Sequence, residues 1–288
     1  MKVSALPISD PRYPALLREI YDPPAQLFYV GNLDVLERQC IAIVGTRRCS
    51  SYGESKAYSF AKDLSRHGVC VVSGLAYGID AAAHKGALEG SGSTIAVLAQ
   101  GLPEIMPRRN VWLAKKIVEK GGLLLCEKEA GSETFKSSYL ERNRLISGLC
   151  KGTLLIEAPW RSGALNTAKH ALNQNREVMA IPGRIGDEMS SGTNKLLQGG
   201  ARLIMGSDEL IEALGLRYES LAIEGLTGLQ LELVNLLKKN ALTGSELGEL
   251  FAGDLKNLYS ALGALELNGI VKLTNEMRYA VCSGGRGG

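Results

Sequence analysis

Between about residues 41 and 214, short apolar runs alternate with longer amphipathic stretches, and this alternation predicts most of the architecture. The strand candidates are 41–45, 69–72, 94–98, 122–125, 153–157, 177–181 and 202–205. Between them, residues 54–67, 79–88, 111–120 and 165–174 repeat apolar side chains at helical spacing. Short, nearly all-apolar strands are buried on both faces, and strands alternating with helices build repeated βαβ units. The expectation over 39–217 is an α/β domain with a mostly parallel sheet.

Outside that stretch the pattern changes. Residues 1–38 carry Asp10-Pro11, Tyr13-Pro14 and Asp22-Pro23-Pro24, which exclude a long helix and predict a packed lead-in with one short helix near 15–20. The periodicity lapses over 218–228, the best linker. Beyond it, 229–239, 244–250 and 255–268 read as helices, and 270–273 with 277–281 reads as a hairpin around Asn275-Glu276. Three helices followed by a hairpin is the winged-helix order, expected over 229–282. The glycine-rich 283–288 is expected to be a flexible tail.

Composition narrows the classes. A chain of 288 residues suffices for one α/β domain of roughly 170–200 residues and a small satellite. No segment reaches the roughly 20 uninterrupted apolar residues of a membrane helix, and the first residues carry no apolar signal stretch. A cytoplasmic protein without membrane insertion is therefore expected. Six cysteines are scattered singly with no Cys-x-x-Cys pair, which argues against disulfides and zinc. A net charge of +3 is too small to nominate a nucleic-acid binder, so any such signal must be local.

The local signals concentrate where strands end. The run 41–44 leads into Gly45-Thr46-Arg47, with Ser50, Ser51 and Gly53 a few residues on. Glycine lets the backbone approach a ligand, the following helix starts with unpaired N–H groups, and Arg47 adds a cation. The pattern recurs at Ser73-Gly74 through Asp80, and again at Ser162-Gly163-Ala164 with Thr167 one turn later. Three such mouths on one sheet edge fit an extended polyanion. Arg142-Asn143-Arg144 sets two guanidinium groups around an amide, a clamp suited to successive phosphates.

Other chemistries lack their residues. The first turn has no G-x-G-x-x-G, the second strand ends in Ser73-Gly74 where a ribose-binding acid would stand, and no Walker sequence occurs. No cofactor is expected. Neither Ser73 nor Ser162 sits in a nucleophile elbow, so no catalytic residue is assigned, and no metal is expected. His84 reads as a structural hydrogen-bonder and Asp80 as a first-turn carboxylate set against the helix dipole. Arg108-Arg109 and Lys115-Lys116 are peripheral candidates. With aromatic residues at 6%, phosphate contacts are expected to outweigh base stacking.

Taken in order, these motifs resemble the bacterial DNA-processing protein A family, DprA or Smf. The resemblance is carried by Ile43-Val44-Gly45-Thr46-Arg47 with Tyr52-Gly53, by Val72-Ser73-Gly74-Leu75-Ala76 with Gly78-Ile79-Asp80, and by Arg142-Asn143-Arg144-Leu145-Ile146-Ser147-Gly148-Leu149. Glu157-Ala158, Ser162-Gly163-Ala164-Leu165 with Thr167-Ala168, and Pro182-Gly183 before Gly192-Thr193-Asn194 extend it, so that it covers about 10–210. It implies an extended Rossmann-like fold that binds single-stranded DNA without catalysis, acts as a homodimer, protects incoming DNA and hands it to the RecA recombinase in natural transformation. In that reading Gly45, Thr46, Arg47, Ser73, Gly74, Arg142, Asn143, Arg144, Ser162, Gly163 and Thr167 form a phosphate-lined pocket, with Arg47 and Arg142 at its solvent edge. The chain departs from the family pattern beside that pocket, with Met106-Pro107 for Tyr-Pro, Cys126-Glu127 for Ser-Glu and Tyr139-Leu140 for Phe-Pro.

The competing expectation is a nucleotide-binding Rossmann enzyme of the nucleoside-monophosphate phosphoribohydrolase type. Glu157 would be its catalytic carboxylate, beside Ser73-Gly74 and Ser162-Gly163. That family needs a Pro-Gly-Gly-x-Gly-Thr loop, and Pro182-Gly183-Arg184-Ile185-Gly186 breaks the spacing. A transcription factor built on the winged helix is weakened by a helix, 255–268, whose only cation is Lys256.

Overall fold

A computed structural model of the chain describes residues 2–90, 93–213, 215, 226–237, 240–251, 255–267, 270–274 and 276–281. They belong to two compact units, Met1–Tyr218 and Glu219–Gly288. The expected linker residues 218–225, the hairpin's Asn275 and the expected tail 283–288 lie outside the described residues.

The first unit is built on a nine-stranded sheet. Its strands in chain order are β1 (Ser4–Pro7), β2 (Gln26–Gly31), β3 (Cys40–Val44), β4 (Cys70–Ser73), β5 (Thr94–Leu98), β6 (Leu123–Cys126), β7 (Gly152–Leu155), β8 (Glu177–Ala180) and β9 (Arg202–Leu203). Their spatial order is β1-β2-β6-β5-β4-β3-β7-β8-β9. Every pair from β3 to β9 is parallel. β1 and β2 form an antiparallel pair that adds to β6. The lead-in expected from the prolines thus contributes two strands to the sheet in addition to its short helix. Pro7 closes β1 at the sheet's outer edge, where a strand tolerates a residue with no N–H to donate.

Period-two alternation along the buried strands sends successive side chains to two helical layers. Ile41 and Ile43 pack with residues of α2 (Ser51–Arg66) and α3 (Ile79–Ala87), after the short α1 (Ala15–Arg18) of the lead-in. Cys40, Ala42 and Val44 pack on the other side with α5 (Lys136–Gly148) and α6 (Gly163–Asn173), while α4 (Val111–Glu119) covers Ala96, Leu98 and Leu124. Helices α7 (Ser191–Gln198) and α8 (Ser207–Ala213) complete the unit. The apolar pattern alone does not reveal α5, because this helix buries Ser138, Arg142, Asn143 and Ser147 among its inward residues.

The second unit runs α9 (Gly228–Leu237), β10 (Leu242–Thr243), α10 (Gly244–Leu250), α11 (Leu255–Leu267), β11 (Val271–Leu273) and β12 (Arg278–Val281). Leu233, Leu237, Leu247, Leu258, Leu262, Leu265 and Val271 make its core. Its sheet has the order β10-β12-β11, so the expected hairpin gains a third, two-residue strand. Thr243 opens α10 with a capping box, accepting from Glu246 N while Thr243 N donates 2.7 Å to the Glu246 carboxylate. Among the described residues no helix is long and apolar enough to cross a membrane, and no cluster of three or more His, Cys, Asp or Glu side chains could hold a metal ion.

Candidate nucleic-acid interface

Strands β4, β3 and β7 are neighbours, so the three glycine- and serine-bearing turns expected from the sequence do share one edge of the sheet. They differ in what fills them. At the β3 turn, Thr46 N donates 2.7 Å to Glu157 O, and a side chain at Gly45 would meet Ile79 Cγ1 at 2.5 Å. The start of α2 is occupied from within. Ser50 accepts from Gly53 N, and its own N and Oγ donate to the Glu157 carboxylate at 2.9 and 2.5 Å. The anion at this helix N-terminus is thus the protein's own buried glutamate. This corrects the phosphate expected at the start of α2, a place that the Glu157 carboxylate takes.

The β4 turn is filled in a similar way. Leu75 takes a positive φ of 58° and Gly78 one of 71° as the backbone curls toward α3. Asp80 Oδ2 accepts from Gly74 N at 3.1 Å and Ala76 N at 3.4 Å, while Asn110 Nδ2 donates to Leu75 O and Ala76 O. Arg142 enters from α5 and donates to Gly74 O at 2.8 Å and to Val97 O. Burial pushes the Asp80 carboxyl above its ordinary range, opposed first by the Arg142 guanidinium. Burial likewise draws Arg142 down to about 10, opposed by Asp80, and leaves it charged at neutral pH. With Arg142 only 7% exposed and Asp80 6%, the two compensate each other inside the turn.

The β7 turn remains open. Ser162 caps α6 by accepting from Ala164 N at 3.2 Å, Gly163 is exposed, and Asn143 Nδ2 donates to Gly163 O and Asn166 Oδ1. A cleft of about 450 Å³ lies over this turn and the β3 turn. From β3 the chain winds outward to β4, and it later returns to β7 on the other side of β3, which makes the cleft a topological switch point.

Gly45, Thr46, Arg47, Arg142, Asn143, Ser162, Gly163 and Thr167 all line the cleft. Gly74 instead lines a side pocket of about 70 Å³ with Tyr77 and Met106, and the two cavities share Arg47, Ala76, Tyr139 and Arg142. Two expected residues face elsewhere. Ser73 is buried in β4 and donates to Ile43 O at 2.7 Å. Arg144 donates to both oxygens of Glu127 at 2.6 and 2.8 Å and stands 3.4 Å from Asp22. The double-arginine clamp fails because residues two apart on a helix point to different sides.

The cleft holds further side chains that sequence reasoning did not assign to it. Arg48 and Arg161 are exposed and line it, as does Tyr139, whose ring lies 5.3 Å from the Arg47 guanidinium. Arg48 and Arg161 were legible as cations flanking Arg47 and Ser162. In the sequence, Tyr139 stands out only as a departure from the Phe-Pro pattern. His84 fits its structural reading: fully buried, with Nδ1 2.8 Å from Thr94 Oγ1, it has a pKa that burial brings down to about 3.

The family model described as DNA recombination-mediator protein A matches residues 4–215, well over half of the chain and every residue of the cleft. The chain belongs to that family. Within the DprA/Smf family, Protein Smf of Escherichia coli (strain K12) is 44% identical over 209 residues, 73% of this chain and 56% of the relative. DNA processing protein DprA of Streptococcus pneumoniae is 43% identical over 212 residues, 73% of this chain and 74% of the relative. The chain therefore spans little more than half the length of the Smf relative. The solved DprA from Streptococcus pneumoniae matches with a TM-score of 0.69 at 41% identity, over 73% of this chain and 74% of that one. DprA from Helicobacter pylori, solved for its single-stranded DNA binding mode, matches with a TM-score of 0.68 at 31% identity, over 76% of this chain and 98% of that one. The extended Rossmann-like fold implied by the sequence motifs is the fold of these DprA structures.

Proposed function

We propose that this chain is a non-catalytic, cytoplasmic single-stranded DNA-binding protein whose cleft grips the phosphate backbone. The observation that carries this reading is the charge arrangement of the edge. Exposed Arg47, Arg48 and Arg161 surround the open start of α6, while Glu157 and Asp80 are already bonded to internal N–H donors. Anionic phosphate meets three cations and a helix N-terminus there. The single-stranded DNA binding of the Helicobacter pylori relative supports the same choice. The phosphoribohydrolase alternative loses support, because the carboxylate it requires is held by Ser50.

The test is fluorescence anisotropy of labelled oligothymidine at several salt concentrations, with duplex of the same length as competitor. Three phosphates neutralised by three arginines give a slope of log affinity against log salt of about −2 for a single strand. Duplex is expected to compete poorly. An affinity indifferent to salt, or equal competition by duplex, refutes the reading.

The proposal extends to protection of incoming strands and their transfer to the RecA recombinase by a homodimer, as the family resemblance implies, with 229–282 serving as a winged-helix interaction module. Sedimentation equilibrium tests the dimer, and RecA assembly on strands precoated with this protein tests the transfer. Monomers at all concentrations, or RecA assembly no faster on precoated strands, would remove the corresponding element.

A further inference from the structure

The chain has two tryptophans, and both are more than half exposed, Trp112 at 52% and Trp160 at 58%. A soluble domain ordinarily keeps most of such a large ring covered, and an exposed tryptophan beside cations is a ready platform for a planar partner. Trp160 follows the end of β7, and Trp112 stands in the helix that follows β5. Trp160 lies between Pro159 and Arg161 of the cleft lining, and its backbone N–H donates 3.0 Å to Ser191 Oγ. Trp112 lies in the first turn of α4, beyond β5, and Asn110 ties that turn to the β4 turn through Leu75 O and Ala76 O.

The cleft and the side pocket adjoin. From the cleft, Arg47 and Tyr139 lead into the side pocket of Tyr77 and Met106, which are 42% and 36% exposed. Met106 begins the segment that carries exposed Arg108 and Arg109 to Trp112. Lys85 Nζ stands 6.0 Å from the Trp112 ring. Exposed aromatic faces interleaved with guanidinium and ammonium groups match an unpaired strand, which presents bases to stack and phosphates to neutralise. Duplex keeps its base faces covered.

We propose that the two tryptophans mark the ends of a single-strand path that crosses the cleft, with bases stacked on Trp160 at one end and on Trp112 at the other. From β7 to β5 the path crosses three strand spacings, about 14 Å of sheet edge. The inference rests on the single-stranded DNA reading of the cleft and extends it to bases held outside the cleft. Stacking neutralises no phosphate, so the tryptophans contribute affinity without contributing salt dependence.

Intrinsic tryptophan fluorescence of the full chain provides the test, followed together with anisotropy while oligothymidines of roughly 4 and roughly 16 nucleotides are added. Trp112→Phe and Trp160→Phe leave one reporter each. The longer strand is expected to quench both reporters. Trp112→Ala is expected to weaken its binding about 5- to 100-fold with the salt slope unchanged, and to weaken the shorter strand less. Saturable binding of the longer strand with both reporters unquenched overturns the path and leaves the cleft reading standing. Absence of any binding by the unaltered chain overturns both.

Discussion

Arg47 and Arg142 line the same cleft, but one is exposed and the other is 7% exposed. The Arg142 guanidinium completes the β4 turn through Gly74 O and Val97 O and balances Asp80, so it is part of the folded framework. Arg142→Ala should leave the Asp80 carboxyl buried without its cation, and an unfolding midpoint in urea is expected to show a loss of about 3 kcal/mol. Among the described residues, the Arg47 side chain has its contact with the Tyr139 ring and no hydrogen bond or ion pair of this kind. Arg47→Ala is expected to stay within about 0.5 kcal/mol of the unaltered stability, to weaken oligothymidine about tenfold and to lower the salt slope by about 0.7. If Arg142→Ala unfolds at the same urea concentration as the unaltered chain, the framework assignment is wrong. Neighbours in sequence take opposite directions here. Asn143 reaches the open α6 turn, whereas Arg144 is turned away to Glu127, and nothing in the tripeptide itself distinguishes the two directions.

Two helix N-termini meet at this sheet edge and are filled differently. The starts of α2 and α6 face the same sheet edge and both are capped by serine, Ser50 and Ser162. Only α2 meets an internal carboxylate, the one that arrives from the end of β7. Gly53 is required beneath it, since a Cβ there would collide with Glu157 Oε2. Ser50→Ala removes both the cap and a donor to a buried carboxylate, and thermal unfolding is expected to report a loss of about 2 kcal/mol. An unchanged melting temperature would show that the carboxylate finds other donors. Helix α5 shows the converse of amphipathic patterning. Its inward face carries Ser138, Arg142, Asn143 and Ser147, which bond to other side chains and to backbone carbonyls instead of filling an apolar core.

Across the whole molecule, every residue lining the cleft lies between Val44 and Thr167, inside the first compact unit. The second unit has its own leucine-rich core and its own three-stranded sheet. A chain ending at Tyr218 is therefore expected to bind oligothymidine within about threefold of the full chain and with the same salt slope, the size of effect that changes of about 0.6 kcal/mol produce. Isothermal titration of both forms decides this, and a loss beyond tenfold would assign part of the single-strand site to residues 219–288. The same comparison with duplex tests whether the second unit adds nucleic-acid affinity of its own.

Local periodicity was enough to determine β3 to β9, the helices α2, α3, α4 and α6 and the three helices of the second unit, because burial on both faces or on one face leaves its period directly in the residue order. It was also enough to place Gly45, Thr46, Arg47, Ser162 and Gly163 at strand ends, where glycine and capping serine are demanded by the backbone itself. Folding alone decided which turns stay open. Glu157 closes the start of α2 from 107 positions away, and Arg142 closes the β4 turn by reaching Gly74 from 68 positions away. The antiparallel β1–β2 edge, the burial of Arg142 and the turning of Arg144 toward Glu127 are likewise products of long-range contact. Electrostatic compensation between distant residues has no period, so it becomes visible only once the sheet has brought its strand ends together.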